Sequence, residues 1–323
     1  MLSQPDRSIR QDRQNLMPAL TSAPFRKRFC LSGLLVLQVF CASWADTDHS
    51  QPSIIAFESF KGQTVIPVSV GAGSAHAFLF DTGLTQGNIL SADLARALDI
   101  KPTRQVKLSD SSGQARAVDV AMIDTVSVGP VTLHNAPFAL MPLPAALSRR
   151  PDGPDIVGVM GAPLLKDAVV CLDYQNKRIM RWSPAATFSA GQRRRLPLEF
   201  LHDQPTITID IDGLRATVVV DTGSNGGVQL FPAFARAHDL GTKYPGLRQT
   251  KSLSGHGQIS QSYQGTARRV TLGDDVKYPN IPLAIIPQSF PPAWGIDGLI
   301  GAGFLSRLAP CLDEPSEGFY WTP

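Results

Sequence analysis

Cysteine is scarce in this chain, and its placement excludes more than its number does. Of four cysteines in 323 residues, Cys30 and Cys41 fall in the first 45, leaving Cys171 and Cys311. There is no CxxC pair and no metal-ligand spacing among the six histidines, so neither zinc-site nor dithiol redox chemistry has support. A GxSxG turn for a serine hydrolase and a GxxxxGK phosphate loop are both missing. No apolar run reaches the ~20 residues of a membrane-spanning helix. An excess of one charge is also lacking. The formal net charge is +3, but residues 1–45 hold six basic groups and two acidic ones, which leaves the rest close to neutral. A nucleic-acid partner is therefore not expected.

The N-terminal segment reads as a leader. Arg26-Lys27-Arg28 precedes the apolar stretch Phe29–Trp44, and Ser43-Trp44-Ala45 puts small residues where a signal peptidase reads. We expect residues 1–45 to be a targeting segment cleaved near Ala45, giving a periplasmic or secreted protein. An uncleaved anchor is the alternative. A lipid-modified Cys41 is disfavoured because bulky Phe40 precedes it, and the start could be Met1 or Met17.

What is present in quantity is turn chemistry: 27 glycines and 26 prolines, with little helical periodicity, argue for a mainly β chain. The main feature is an internal repeat. Asp81-Thr82-Gly83 recurs 140 residues later as Asp221-Thr222-Gly223, each after an apolar run. At the same offset Ala95-Arg96-Ala97 faces Ala235-Arg236-Ala237, "IVGVMGAPLL" (Ile156–Leu165) faces "IDGLIGAGFL" (Ile296–Leu305), and Cys171-Leu172-Asp173 faces Cys311-Leu312-Asp313. Between these anchors the offset drifts to about 144, as loop insertions would cause. We expect one unit over 53–182, a second over 197–322, and a Pro/Gly/Ser-containing linker over 183–196 whose Arg193-Arg194-Arg195 run is a solvated loop. Within each unit "TVIPVSV" and "TITIDI" alternate as half-buried strands do. Ser91 is placed to cap a short helix, and Pro232 to start another.

A carboxylate at the end of a buried strand is costly unless it is paired. Two related units packed about a pseudo-twofold axis would bring Asp81 and Asp221 together. Two carboxyls in one site share a proton, giving a general base and a general acid at one point. Gly83 and Gly223 would allow close approach and offer amide donors, and Thr82 and Thr222 have hydroxyls able to bond across the interface.

On these residues the sequence resembles the aspartic proteases of the pepsin and retroviral-protease superfamily. Each Asp-Thr-Gly is followed 80 residues later by an apolar-Gly-apolar block, ending at Gly161 and at Gly301. The resemblance covers nearly all of the chain after the leader. It implies a bilobal acid-protease fold with two β-barrel-like lobes and short helices. The compact units resemble the retroviral-type lobe of bacterial exported members, in tandem. It further implies an aspartic endopeptidase with Asp81 and Asp221 catalytic and Thr82, Gly83, Thr222, Gly223 and Ser224 supporting them. No cofactor or metal is implied; the expected partner is an extended peptide or protein, and the expected state a monomer with no membrane span after cleavage. A flap is implied near Leu108–Val118 or Leu253–Tyr263.

Two departures are informative. Ser224 follows the family pattern, and a hydroxyl bonded to the outer oxygen of Asp221 would make Asp221 the more readily ionised partner. Leu84, at the matching place, offers no hydroxyl. It keeps open a second reading, a weak or inactive module of the same fold that binds or inhibits peptides. Duplicated Asp-x-Gly loops also occur in actin-like and sugar-kinase ATPases, but no Gly-rich adenosine segment is apparent here. Cys171 and Cys311, at equivalent positions, could be bonded across the lobes or be free and buried.

Overall fold

The computed structural model describes residues 51–323, apart from 110–114, 184–186, 254–256, 258 and 289. The leader and its cleavage site lie outside the described residues. Among those described, no helix is long and apolar enough to cross a membrane.

Each repeat closes a six-stranded barrel. We number the barrel strands β1 (Gln63–Val70), β2 (Ala75–Phe80), β3 (Asn88–Ser91), β4 (Ala115–Val128), β5 (Val131–Met141) and β6 (Ile156–Met160) in the first lobe. The second lobe repeats them as β7 (Gln204–Ile211), β8 (Leu214–Val220), β9 (Val228–Leu230), β10 (Ile259–Leu272), β11 (Val276–Ile285) and β12 (Gly298–Ile300). The first ring runs β1-β2-β6-β3-β5-β4 and closes where Val68–Val70 pair with Val126–Val128. The second runs β7-β8-β12-β9-β11-β10 and closes where Asp210 and Ile211 pair with Thr271 and Val270. Closure leaves neither barrel with a free edge there. Inside, large side chains such as Phe78, Phe80, Phe138 and Met160 are fully buried, each contributing ~2–3 kcal/mol relative to exposure.

The short helices follow their local signals. Ser91 Oγ accepts the Leu94 N–H at 3.1 Å ahead of helix Ala92–Ala97, and Pro232 opens helix Pro232–Ala237.

A third sheet joins the lobes. Its order is Ser53–Ala56, Arg178–Trp182, Val169–Asp173, Cys311–Asp313, Gly318–Trp321, Arg194–Pro197. Three strands come from each lobe, in mirrored order, so a pseudo-twofold axis passes through the centre. There Cys171 and Cys311 sit directly opposite one another and form a disulfide. The open question of their state is thereby answered: they are bonded.

One expectation needs correction. The segment read as a linker is not irregular to its end, because Arg194–Pro197 is the sheet's outer strand, paired with Gly318–Trp321. The basic run is also engaged. Arg194 pairs with Asp275 at 2.9 Å, and Arg195 donates to the carbonyls of Ser316 and Glu317 at 2.9 and 3.2 Å. A three- or four-residue strand carries little signal of its own; the neighbouring strand decides it.

Candidate active site

From Ala77 to Phe80 strand β2 is apolar because both its faces are covered there. Phe78 and Phe80 point into the barrel, while Ala77 and Leu79 pack on the outside with Val65 and Val159. In β8, Val218 and Val220 point inward and Val219 outward. A strand buried on two sides loses its polar alternation. The last ladder bond of each strand is made by the aspartate itself: Asp81 N–H donates to Met160 C=O at 2.9 Å, and Asp221 N–H to Ile300 C=O at 3.0 Å.

The chain then turns back on the carboxylate. Gly83 and Leu84 N–H donate to Asp81 Oδ1 at 2.9 and 3.1 Å. Gly223 and Ser224 N–H donate to Asp221 Oδ1 at the same two distances. One oxygen of each carboxyl is thus fixed by its own loop. The two carboxyls hydrogen-bond each other. The glycines are needed for that approach. A Cβ on Gly83 would come 3.0 Å from Asp221 Cγ, and one on Gly223 would come closer still to Asp81 Cγ, inside any normal carbon contact.

Beneath the pair, the two threonines exchange bonds across the lobes. Thr82 N–H donates to Thr222 Oγ1 at 3.0 Å, and Thr222 N–H to Thr82 Oγ1 at 3.1 Å. Each hydroxyl in turn donates into the other lobe, Thr82 to Val220 C=O at 2.5 Å and Thr222 to Phe80 C=O at 2.9 Å. Both residues are fully buried, and every polar group in the exchange is satisfied. The later blocks brace the loops from behind: Ala162 N–H donates to Leu84 C=O, and Ala302 N–H to Ser224 C=O, both at 2.8 Å.

The electrostatics follow from this crowding. Burial raises both carboxyl pKa values, and the charge of Asp81 raises Asp221 further, well above the usual carboxylate range. The pair therefore holds a proton at pH values where a free aspartate has none. Both residues nonetheless keep part of their surface exposed, so a water can reach them.

Every residue named in advance lies in this site. Ser224 does so for a different reason from the one expected. Its hydroxyl accepts from Gln229 Nε2 at 2.7 Å and from Gly226 N–H at 3.3 Å rather than bonding Asp221. Its backbone N–H is what reaches the carboxylate. The hydroxyl therefore does not make Asp221 the more readily ionised partner, and the charge on Asp81 favours the proton on Asp221. Leu84 supplies the same backbone N–H, so its lack of a hydroxyl removes no bond to Asp81.

Some site residues gave no advance signal. Gln63 Nε2 donates to Gly223 C=O, Asn225 Nδ2 to Lys61 C=O at 3.1 Å, and Gln204 Nε2 to Thr85 Oγ1 at 3.2 Å, all across the lobes. Gln63 and Gln204 open the equivalent strands β1 and β7, a match visible only once those strands are aligned. The expected flap positions form hairpins in both lobes, Arg104–Ser109 against β4 and Arg248–Leu253 against β10. Most residues at their tips lie outside the described set.

A family model described as aspartyl protease matches the chain twice, over residues 66–164 and 207–304, together more than half its length. Each match contains one Asp-Thr-Gly loop and its trailing glycine block. No curated protein matches the chain.

Proposed function

The chain belongs to the aspartyl protease family, and from that premise we propose that it is an aspartic endopeptidase in which Asp81 and Asp221 activate one water between them. The observation that carries the reading is the hydrogen-bonded carboxyl pair, each member held by an identical pair of backbone donors and sharing a raised affinity for one proton. The ionised member takes a proton from the water as its oxygen attacks the peptide carbonyl carbon. The protonated member gives its proton to the carbonyl oxygen, forming a gem-diol. Collapse returns a diol proton to the ionised carboxyl, passes the other carboxyl proton to the departing nitrogen, and breaks the C–N bond. The pair ends with one proton, as it began.

Thr82, Gly83, Thr222, Gly223 and Ser224 are the supporting residues in this reading. Both halves of the pair lie in one chain, which supports a monomer. An extended peptide is the substrate, laid between the lobes with strand-like backbone bonds. Export to an oxidising compartment is part of the same proposal; the basic-then-apolar leader and the Cys171–Cys311 bridge support it. The rival reading as a non-catalytic module drew on Leu84. Since Leu84 N–H bonds Asp81 as Ser224 N–H bonds Asp221, that residue does not favour it.

The test is cleavage of a random peptide library by purified protein across pH ~3–8, with and without a statine-type transition-state analogue. Cleavage suppressed by the analogue is expected. A folded sample that binds the analogue yet cuts nothing would make the non-catalytic module correct.

A further inference from the structure

Across the six strands of each barrel, one residue per strand forms a continuous row on the face opposite the barrel core. In the first lobe the row is Val120, Ala139, Ile89, Val159, Leu79, Val65. In the second it is Gln264, Ala284, Gln229, Leu299, Val219, Thr206. Leu79 and Val219 each stand two residues before the aspartate, on its side of the strand. Each row therefore borders its own half of the carboxyl pair. The first is wholly apolar. The second has hydrogen-bonding side chains at three of the same positions, of which Gln264 and Gln229 keep exposed surface and Thr206 is buried with its hydroxyl donating to Glu199 C=O at 2.9 Å.

The hairpins continue the difference. Two residues beyond the row towards each tip, Val118 faces Val106 in the first lobe and Ser262 faces Thr250 in the second. Gly257, between the two strands of the second hairpin, lies against the other lobe: a Cβ on it would come 2.9 Å from Pro144 Cγ. Its outward face carries the exposed Leu253, Ile259 and Tyr263, so its covered face is the one holding Ser262, which is 1% exposed. On that covered face Ser252 Oγ and Ser262 Oγ are both buried without a hydrogen-bond partner among the described residues. A buried hydroxyl left unpaired costs about 1–3 kcal/mol, a cost that a ligand group reaching it would relieve.

The loops after the aspartates complete the pattern. Leu84 packs into the apolar cluster of Leu79, Ile89 and Val159, whereas Ser224 is hydrogen-bonded to Gln229, which stands where Ile89 does. Leu84 with Ile89, and Ser224 with Gln229, are thus matched pairs, one apolar and one polar.

We infer that the cleft distinguishes the two sides of the bond it cuts: the first lobe takes an apolar side chain, and the second takes an uncharged hydrogen-bonding one, a hydroxyl or carboxamide. The inference rests on the reading of the carboxyl pair as a peptide-cleaving site. Neutral donors and acceptors line the second half, which favours Ser, Thr, Asn or Gln there over a charged residue.

The experiment uses peptides identical except at the two residues flanking the scissile bond, which are apolar/apolar, apolar/polar, polar/apolar or polar/polar. Two readouts are taken: kcat/KM with the wild-type chain, and calorimetric binding to the Asp221→Asn chain. One mixed arrangement should exceed apolar/apolar by about five- to tenfold, the worth of one satisfied hydrogen bond. Exchanging the hairpin pair to the first lobe's residues (Thr250→Val with Ser262→Val) should erase that preference while apolar/apolar peptides are still cut. Gln229→Ile should do the same if the hairpin variant does not fold. Equal rates for all four peptides, or a preference unchanged in these variants, would overturn the inference. Selective binding without cleavage would uphold it and refute the endopeptidase reading instead.

Discussion

Replacing Thr82 by valine isolates the cross-lobe exchange beneath the carboxyl pair. Valine has nearly the same shape, so no cavity opens, and the change removes only the hydroxyl. Two partners lose their bonds: the buried Thr222 N–H, which donates to Thr82 Oγ1, and Val220 C=O, which accepts from it. An orphaned buried N–H costs about 1–3 kcal/mol, and the second lost bond about 1 kcal/mol. The expected destabilisation is about 2–4 kcal/mol, a large share of the ~5–15 kcal/mol that holds a domain together. Thr82→Ser keeps the hydroxyl and gives up one methyl group, about 1 kcal/mol. The assay is urea unfolding at neutral pH, followed by fluorescence and by far-ultraviolet circular dichroism to check that one transition is seen. Because the exchange also sets the spacing of the two aspartates, Thr82→Val should lose activity under conditions where it remains folded. A Thr82→Val chain within about 0.5 kcal/mol of wild type would refute the claim that these bonds lock the lobes together.

Other outcomes follow from the same geometry. Burial raises the folded pKa of Asp221, so its stabilising share is complete below the unfolded aspartate pKa and is lost as pH rises through the folded value. Asp221→Asn, which cannot ionise, should therefore match wild type in stability near pH 3 and exceed it at neutral pH; a constant difference across pH would contradict this. The Cys171–Cys311 bridge closes a sequence separation of 140 residues, so Cys171→Ser with Cys311→Ser should cost about 5 kcal/mol on the chain-entropy model. Two alkylatable thiols in the unreduced, denatured 51–323 region would show that the bridge does not form. Ser224→Ala should leave the acidic limb of the pH–rate profile in place, because the hydroxyl bonds Gln229 rather than Asp221; a displaced limb would count against that assignment.

The carboxyl pair was legible in the sequence because its chemistry admits few alternatives. A carboxylate at a strand end, a glycine where the opposite aspartate presses in, and a threonine that bonds across the lobes recur as one tripeptide, and the 140-residue offset exposes the twofold. The disulfide was half legible: equivalence put Cys171 and Cys311 at the axis, but only strand register set them face to face. Ser224 shows where such reading fails. A serine hydroxyl can reach several partners within a tight turn, and Gln229, five residues on and unremarkable by type, captured it. The strand Arg194–Pro197 was hidden because its neighbour Gly318–Trp321 makes it, more than 120 residues away. The unlike walls of the cleft were also invisible, since the offset drifts from 140 to about 144 just where the hairpins begin. Val118 could be matched with Ser262 only after the ladders had fixed the register.

The most direct measurement is the rate of peptide cleavage by Asp81→Asn and by Asp221→Asn, each shown to be folded, beside wild type on one cleaved library peptide. If one water is activated between the two carboxyls, each single change removes half of an acid–base pair. Either alone should then lower kcat by at least about 10²-fold, with no further loss when both are combined. A folded variant of either aspartate that cleaves at the wild-type rate would contradict a shared carboxyl site.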